Sequence, residues 1–174
     1  MEKLEKTDRP DKNAISEELK GIVERRGLHL CLECGKCSAV CPMLDFYGEY
    51  NYERSPRGVV ERILFDPEVF SGEALWYCLT CRECTALCPS GIDFQDFMME
   101  LRQLLIRHGH TEHALFCDIC GAYIMPKREL EQLEKMPEGK NTGELIRVCE
   151  KCKKDRHARL LRRVAHASKS KGEL

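Results

Sequence analysis

Apolar side chains recur at helical spacing in several stretches of the chain and alternate over no stretch long enough for a sheet of any size, so the pattern predicts a mainly α protein. The first stretch is Ile15, Leu19, Ile22 and Val23, with Ser16 near its start, Arg25 and Arg26 in its last turn and Gly27 as its stop. Residues before about 13 are charged and aperiodic, a composition that predicts disorder. The second opens at Ser55 and Pro56, a cap with proline at the first helical position, and gathers Val59, Val60, Ile63 and Leu64 on one face. Asp66 and Pro67 then restart the chain into another short helical turn. Asp93 caps the third, whose inner face is Phe94, Phe97, Met98, Leu101, Leu104 and Leu105 and which ends near Gly109. Met98 and Met99 at this spacing read as core rather than as ligands. A last stretch, DRHARLLRRVAHA, predicts a basic C-terminal helix.

What stands between the helices changes the picture. Of 174 residues 12 are cysteine, several times the usual share, while only 7% are aromatic and 33% are charged. Such a chain is held together partly by something other than a hydrophobic core. The cysteines fall in three sets, which divide the chain into a tail and short amphipathic helix (1–27), a central domain (28–112) and a third segment (113–174). The N-terminus has no apolar core and no cleavage site of a signal peptide, and the longest uncharged apolar run, around ALWYCLT, falls well short of the ~20 residues that span a bilayer. The expected location is therefore the cytoplasm, where thiols stay reduced and clustered cysteines bind metal more often than each other.

Two of the sets, CLECGKCSAVCP at 31–42 and CLTCRECTALCP at 78–89, follow the CxxCxxCxxxCP run of bacterial ferredoxins. Two-residue gaps wrap a tight loop around one iron-sulfur cube, so that three successive thiolates reach different irons. The fourth cysteine, one residue further on and followed by proline, points away and in two-cluster proteins ligates the other cube. By that rule Cys31, Cys34, Cys37 and Cys88 hold one 4Fe-4S cluster, and Cys78, Cys81, Cys84 and Cys41 hold the second. Structural zinc takes ligands in two separated pairs, and disulfides would join cysteines only three apart, so neither explains two runs that each end in Cys-Pro. Trp76 and Tyr77 before the second run, with Leu79, Ala86 and Leu87 inside it, are expected to keep water away, and Trp76 reads as packing rather than as an electron relay. Nucleotide-binding, P-loop and zinc-protease motifs are absent, and no serine or spare cysteine stands beside a base, so no catalytic residue is expected. Two clusters without substrate chemistry make an electron conduit.

The third set, Cys117, Cys120, Cys149 and Cys152, is two CxxC pairs separated by twenty-eight residues, which is zinc-ribbon spacing with a long spacer. Zinc is the favoured occupant; another iron-sulfur centre, a disulfide and free thiols are the alternatives. Short hairpins are expected at the CxxC knuckles. The histidines of HGHTEH at 108–113 are near enough in sequence to substitute as ligands, although a solvated helix end suits them better. From residue 151 onward nine Lys or Arg face only Asp155 and Glu173, a basic surplus that suits a solvated terminal helix, a nucleic-acid or membrane footprint, or a docking face for an acidic protein surface.

Residues 28 to 107 resemble the family of heterodisulfide reductase C subunits. The resemblance is carried by the first cysteine run, by RSPRGVVERIL at 54–64, by WYCLTCRECTALCP at 76–89 and by FQDFMMELR at 94–102. A spacer of about 36 residues between the runs, with its Ser-Pro-Arg helix, separates this family from compact bacterial ferredoxins. The resemblance implies an α-helical ferredoxin (two-cluster) domain, here followed by a small zinc-ribbon-like segment and a basic C-terminal helix. All eight family ligands are present. It also implies a hetero-oligomeric complex in which electrons pass between a flavin-containing A-type subunit and a cysteine-rich B-type subunit, whose paired-cysteine signature this chain lacks. The C-terminal CxxC pairs depart from the shorter family pattern and imply a variant complex. Two other readings remain at this point: the iron-sulfur subunit of a membrane-associated quinone-linked or sulfur-metabolising oxidoreductase, and an iron-sulfur and zinc regulator that binds nucleic acid or senses redox state. Against the regulator, the basic residues are not interleaved with aromatics, so no nucleic acid and no direct membrane insertion are expected.

Overall fold

In the computed structural model, which describes residues 12–66, 72–136 and 142–169, the chain divides into two compact units, Met1–His113 and Ala114–Leu174. The disorder predicted before residue 13 and the helical turn predicted from Pro67 fall largely on 1–11 and 67–71, outside the described residues.

The first unit is helical. Helices α1 (Lys12–Arg25), α2 (Lys36–Ala39), α3 (Met43–Tyr47), α4 (Pro56–Phe65), α5 (Glu83–Ala86) and α6 (Phe94–Arg107) are joined by loops and short 3-10 turns. The caps act as their residue types predict. Ser55 Oγ accepts from Gly58 N at the start of α4, Asp93 accepts from Asp96 N at the start of α6, and Gly27 takes the left-handed conformation just after α1. The predicted apolar faces are buried: Ile15, Leu19 and Ile22 on α1, Val59, Val60 and Ile63 on α4, and all six named positions on α6. Each large aliphatic side chain so buried contributes about 2 kcal/mol. Val23 and Leu64 at the margins are half-buried. Met99 departs from expectation: it is 47% exposed, because one helical step of about 100° carries it off the face that buries Met98. Helix α1 packs on α6, so the packing has no boundary after residue 27.

Ion pairs border the α1–α6 seam. Arg26 Nε donates to Glu100 at 3.0 Å, its Nη1 to Asp96 at 3.0 Å, and Arg25 Nη2 to Glu100 at 3.1 Å. Further along, Glu18 accepts from Arg107 at 2.8 Å and lies 2.8 Å from His108 Nε2. The hydrogen bond from Arg26 holds the Glu100 carboxyl below its ordinary 4.5. A lowered carboxyl pKa contributes stability that is fully present above the unfolded value and is lost only as acid titrates the folded group. A double-mutant cycle of Arg26→Gln and Glu100→Gln, followed by thermal unfolding at neutral pH, should give a coupling of about 1 kcal/mol. A coupling near zero would show that the seam is held by its apolar face alone.

The second unit starts with β1 (Ala114–Phe116) and β2 (Tyr123–Pro126), an antiparallel hairpin pairing Leu115 with Met125 and Phe116 with Tyr123 across one irregular step. Helices α7 (Lys127–Lys135), α8 (Thr142–Ile146) and α9 (Glu150–Lys169) follow. Among the described residues its buried ones are few: Ala114, Leu115, Cys117, Pro126, Leu130, Gly143 and Cys152. Most of the described side chains of α9 are exposed, including Leu160 and Leu161. Among the described residues no helix is long and apolar enough to cross a membrane.

Candidate metal centres

The two CxxCxxCxxxCP runs fold alike. Every cysteine of the first has its counterpart 47 positions later, and the backbone repeats with the spacing. Glu33 and Thr80, each two residues past a first cysteine, have φ of 56° and 50°. Gly35 and Arg82, each directly after a second cysteine, have φ of 73° and 72°. Helices α2 and α5 begin one residue further on. Left-handed residues curl the chain tightly, so that successive thiols and amides converge on one concavity. Only glycine adopts this conformation freely; elsewhere it costs about 1 kcal/mol or more per residue, and most for a β-branched threonine. The surroundings hold it in place: Thr80 O accepts from Gln95 Nε2 at 2.8 Å and Thr80 N donates to Cys78 Sγ at 3.4 Å.

Helix α2 meets α5, and that contact decides which thiols face each other. One cavity is lined by Cys78, Cys81 and Cys84 together with Cys41, and by Tyr77, Leu79 and Phe94. A second is lined by Cys31, Cys34 and Cys37 together with Cys88, and by Leu32, Pro89 and Arg57. Each cavity thus gathers three cysteines from one run and the fourth from the other. Neither lining contains a carboxylate or an imidazole, while Arg54 and Arg82 line the first and Lys36 and Arg57 the second. An all-sulfur donor set ringed by cations suits a soft, net-anionic iron-sulfur cluster and not a hard oxygen-seeking cation. Burial pushes the Cys84 thiol up to about 12 and raises Cys37 and Cys41 as well. A bound cation is what brings such thiols to the thiolate form.

The Ser-Pro-Arg segment proves to be part of this architecture. Ser55, fully buried, accepts from Gly58 N and from Ser38 Oγ of α2 at 3.0 Å, and donates to Tyr52 O at 2.7 Å. A Cβ on Gly58 would collide with that same Tyr52 carbonyl, so glycine is what lets α4 approach. Arg57 then reaches Cys31 Sγ at 3.6 Å. On the other side Arg102, 2% exposed, donates to the carbonyl oxygens of Leu75 and Cys78 and lies 5.7 Å from the Trp76 ring. Arg57, Arg102 and Gln95 were not predicted as site residues. The signal was present for the arginines, since a charge in line with an apolar helical face marks a buried cation that needs acceptors. The shielding expected within the second run is only partly realised. Trp76 and Tyr77 are buried and Leu79 lines the cavity, but Ala86 and Leu87 are exposed because the turn that ends α5 faces outward.

In the second unit the sulfurs of Cys117, Cys120, Cys149 and Cys152 all lie within 4.8 Å of one another, and Cys120 and Cys149 are 3.6 Å apart. Zinc-sulfur bonds of about 2.3 Å in a tetrahedron put sulfurs about 3.8 Å apart, so side-chain shifts of about 1 Å or less bring the set to four-thiolate zinc geometry. Cys117 and Cys120 sit at the tip of the β1–β2 hairpin, where Cys117 N donates to Ala122 O at 2.8 Å and Gly121, left-handed, donates to Cys117 O at 2.9 Å. The second pair does not form the expected hairpin: Cys149 precedes α9 and Cys152 lies in its first turn, because the charged, strand-averse sequence after Cys149 continues as helix. The amide of Cys149 pulls the Cys117 thiol down to about 6, while the neighbouring thiols push Cys152 up to about 12. Four such sulfurs share negative charge only around a cation. Among the described residues this group holds no histidine; His108 instead bonds Glu18, and His113 lies beside Trp76.

A family model described as a 4Fe-4S dicluster domain matches residues 6–92. The C subunit of the ferredoxin:CoB-CoM heterodisulfide reductase of Methanosarcina mazei is 31% identical over 137 residues, an alignment that takes in 71% of this chain and 83% of that protein.

Proposed function

This chain belongs to the 4Fe-4S dicluster family, among heterodisulfide reductase C subunits, and from that membership we propose that it relays electrons through two 4Fe-4S clusters between a flavin-containing subunit and a catalytic subunit of a larger complex. The observation that supports this reading best is the exchange of fourth cysteines, Cys41 beside Cys78, Cys81 and Cys84, and Cys88 beside Cys31, Cys34 and Cys37. When bound, the clusters supply one-electron storage at two neighbouring points.

The protein residues supply the rest. The eight thiolates hold the clusters and, by crossing between the runs, tie the two halves of the unit together. Tyr77, Leu79 and Phe94 line the Cys41 side with apolar surface, which lowers the local dielectric and limits water. Gln95 and Arg102 clamp the backbone at Thr80 and Cys78, fixing the loop in its left-handed form. Cys117, Cys120, Cys149 and Cys152 hold zinc as a structural ion, and α9, rooted at that ion, offers a basic arm to an acidic surface of a partner subunit.

Anaerobically purified full chain should contain about eight iron and about one zinc. About four iron, or about twelve with no zinc, would sink the assignment. Co-purification with a flavoprotein supports the proposed complex, and recovery with a quinone-reducing membrane fraction would favour the membrane-linked oxidoreductase instead.

A further inference from the structure

A buried arginine meets the first cysteine of each run, Arg57 at Cys31 and Arg102 at Cys78, and the two are used differently. Arg102 Nη2 donates to the carbonyl oxygen of Cys78 at 2.6 Å, and its Nε to Leu75 O at 3.3 Å, so its charge falls on backbone dipoles. Cys78 Sγ accepts from a neutral amide, Thr80 N. Arg57, 8% exposed, points Nη1 at the sulfur of Cys31 itself, 3.6 Å away, while its Nη2 meets Glu33 Oε1 at 2.9 Å. The arginines lining the Cys41 cavity have other partners: Arg54 pairs with Glu49 and stacks on Tyr77, and Arg82 pairs with Asp93. Of the two buried arginines, Arg57 sets its charge against a ligand sulfur and Arg102 against carbonyl oxygens.

We infer that Arg57 is a positioning residue that raises the reduction potential of the site formed by Cys31, Cys34, Cys37 and Cys88 above that of the other site, so that an electron entering the chain settles there, with Glu33 opposing the effect. The inference rests on the ligand assignment proposed above. Reduction takes one electron from the donor subunit, which is oxidised by one electron, and makes the thiolate-bound group more negative. A fixed cation against a ligand sulfur, little screened because it is buried, stabilises the reduced form more than the oxidised one. Arg57 stays charged throughout, so it exchanges no proton as the electron arrives.

The test is an anaerobic redox titration of full chain followed by electron paramagnetic resonance, with the sites distinguished by the signal that Cys88→Ser removes. Arg57→Gln should lower the midpoint of the Cys31 site alone and shift the partition of one electron between the sites by about tenfold or more, about 59 mV for a one-electron couple. Arg57→Lys should restore part of the shift. Glu33→Gln should raise the same midpoint; its side chain is 63% exposed, so the substitution leaves packing intact and still reports if Arg57→Gln fails to hold iron. Unchanged midpoints, equal shifts at both sites, or shifts of the same sign in the Arg57→Gln and Glu33→Gln variants would overturn the role of Arg57. Too little iron in the parent chain, or loss of the Cys78 site in Cys88→Ser, would instead overturn the ligand assignment.

Discussion

Cys41→Ser should cost the chain about half its iron, and the cluster that disappears should be the one held by Cys78, Cys81 and Cys84, nearly forty residues away in sequence, not the one held by its own run. The Cys41 thiol lines the same cavity as those three sulfurs, and its removal leaves three thiolates and a serine oxygen, a harder and poorer ligand for iron of this kind. The neighbouring set of Cys31, Cys34, Cys37 and Cys88 keeps all four sulfurs. Cys88→Ser is the mirror experiment, and the two variants should retain spectroscopically different clusters. If Cys41→Ser instead lost the cluster of its own run, each run would be a self-contained site and the crossed arrangement would be wrong. Because crossed ligands also join the two halves, either variant should lower the thermal stability of the whole unit.

A zinc-selective chelator, or Cys149→Ser, should unfold the second unit while the first keeps its iron. The second unit's buried apolar side chains, chiefly Leu115, Pro126 and Leu130 beside Ala114, supply a few kcal/mol at about 2 kcal/mol each. A structural four-thiolate zinc site contributes about 10 kcal/mol or more, which exceeds what a core of that size supplies. Amide hydrogen exchange read by mass spectrometry should therefore show protection collapsing between residues 114 and 152 and persisting in α1, α4 and α6. Surviving protection of the β1–β2 hairpin after metal removal would mean that the segment is held by its own packing.

Much of this is legible in the sequence alone. The inner face of α6 is buried at every predicted position, and the caps at Ser55 and Asp93 act as read. Both features are local: a cap needs only a side chain and the amide three residues on, and a face needs only the helical repeat. Met99 failed because an apolar residue one step off the stripe cannot be told from its neighbour by composition. Ala86 and Leu87 failed for a related reason, since small and apolar residues inside a cysteine run carry no period that says which side of the loop they take. Arg57 and Arg102 were hidden more deeply. Their place in line with apolar helical faces marks them for burial, but their acceptors lie twenty-four or more residues away in sequence, and nothing local says whether each meets a sulfur or a carbonyl.

The chain's sequence by itself determined which atoms are on offer as ligands: eight thiols in two runs of one spacing and four more in two pairs, together with helices whose apolar stripes face inward. Those properties follow from bond geometry and short-range periodicity, which a linear string encodes directly. Tertiary structure decided what those atoms share. The contact of α2 with α5 sets three thiols of one run beside the fourth of the other, and the approach of α4 permitted by Gly58 brings a buried guanidinium against Cys31 while its counterpart Arg102 spends its charge on carbonyls. Two runs with nearly the same local chemistry thereby acquire different electrostatic surroundings, because the field at a buried sulfur depends on the charges that packing places within a few ångströms of it.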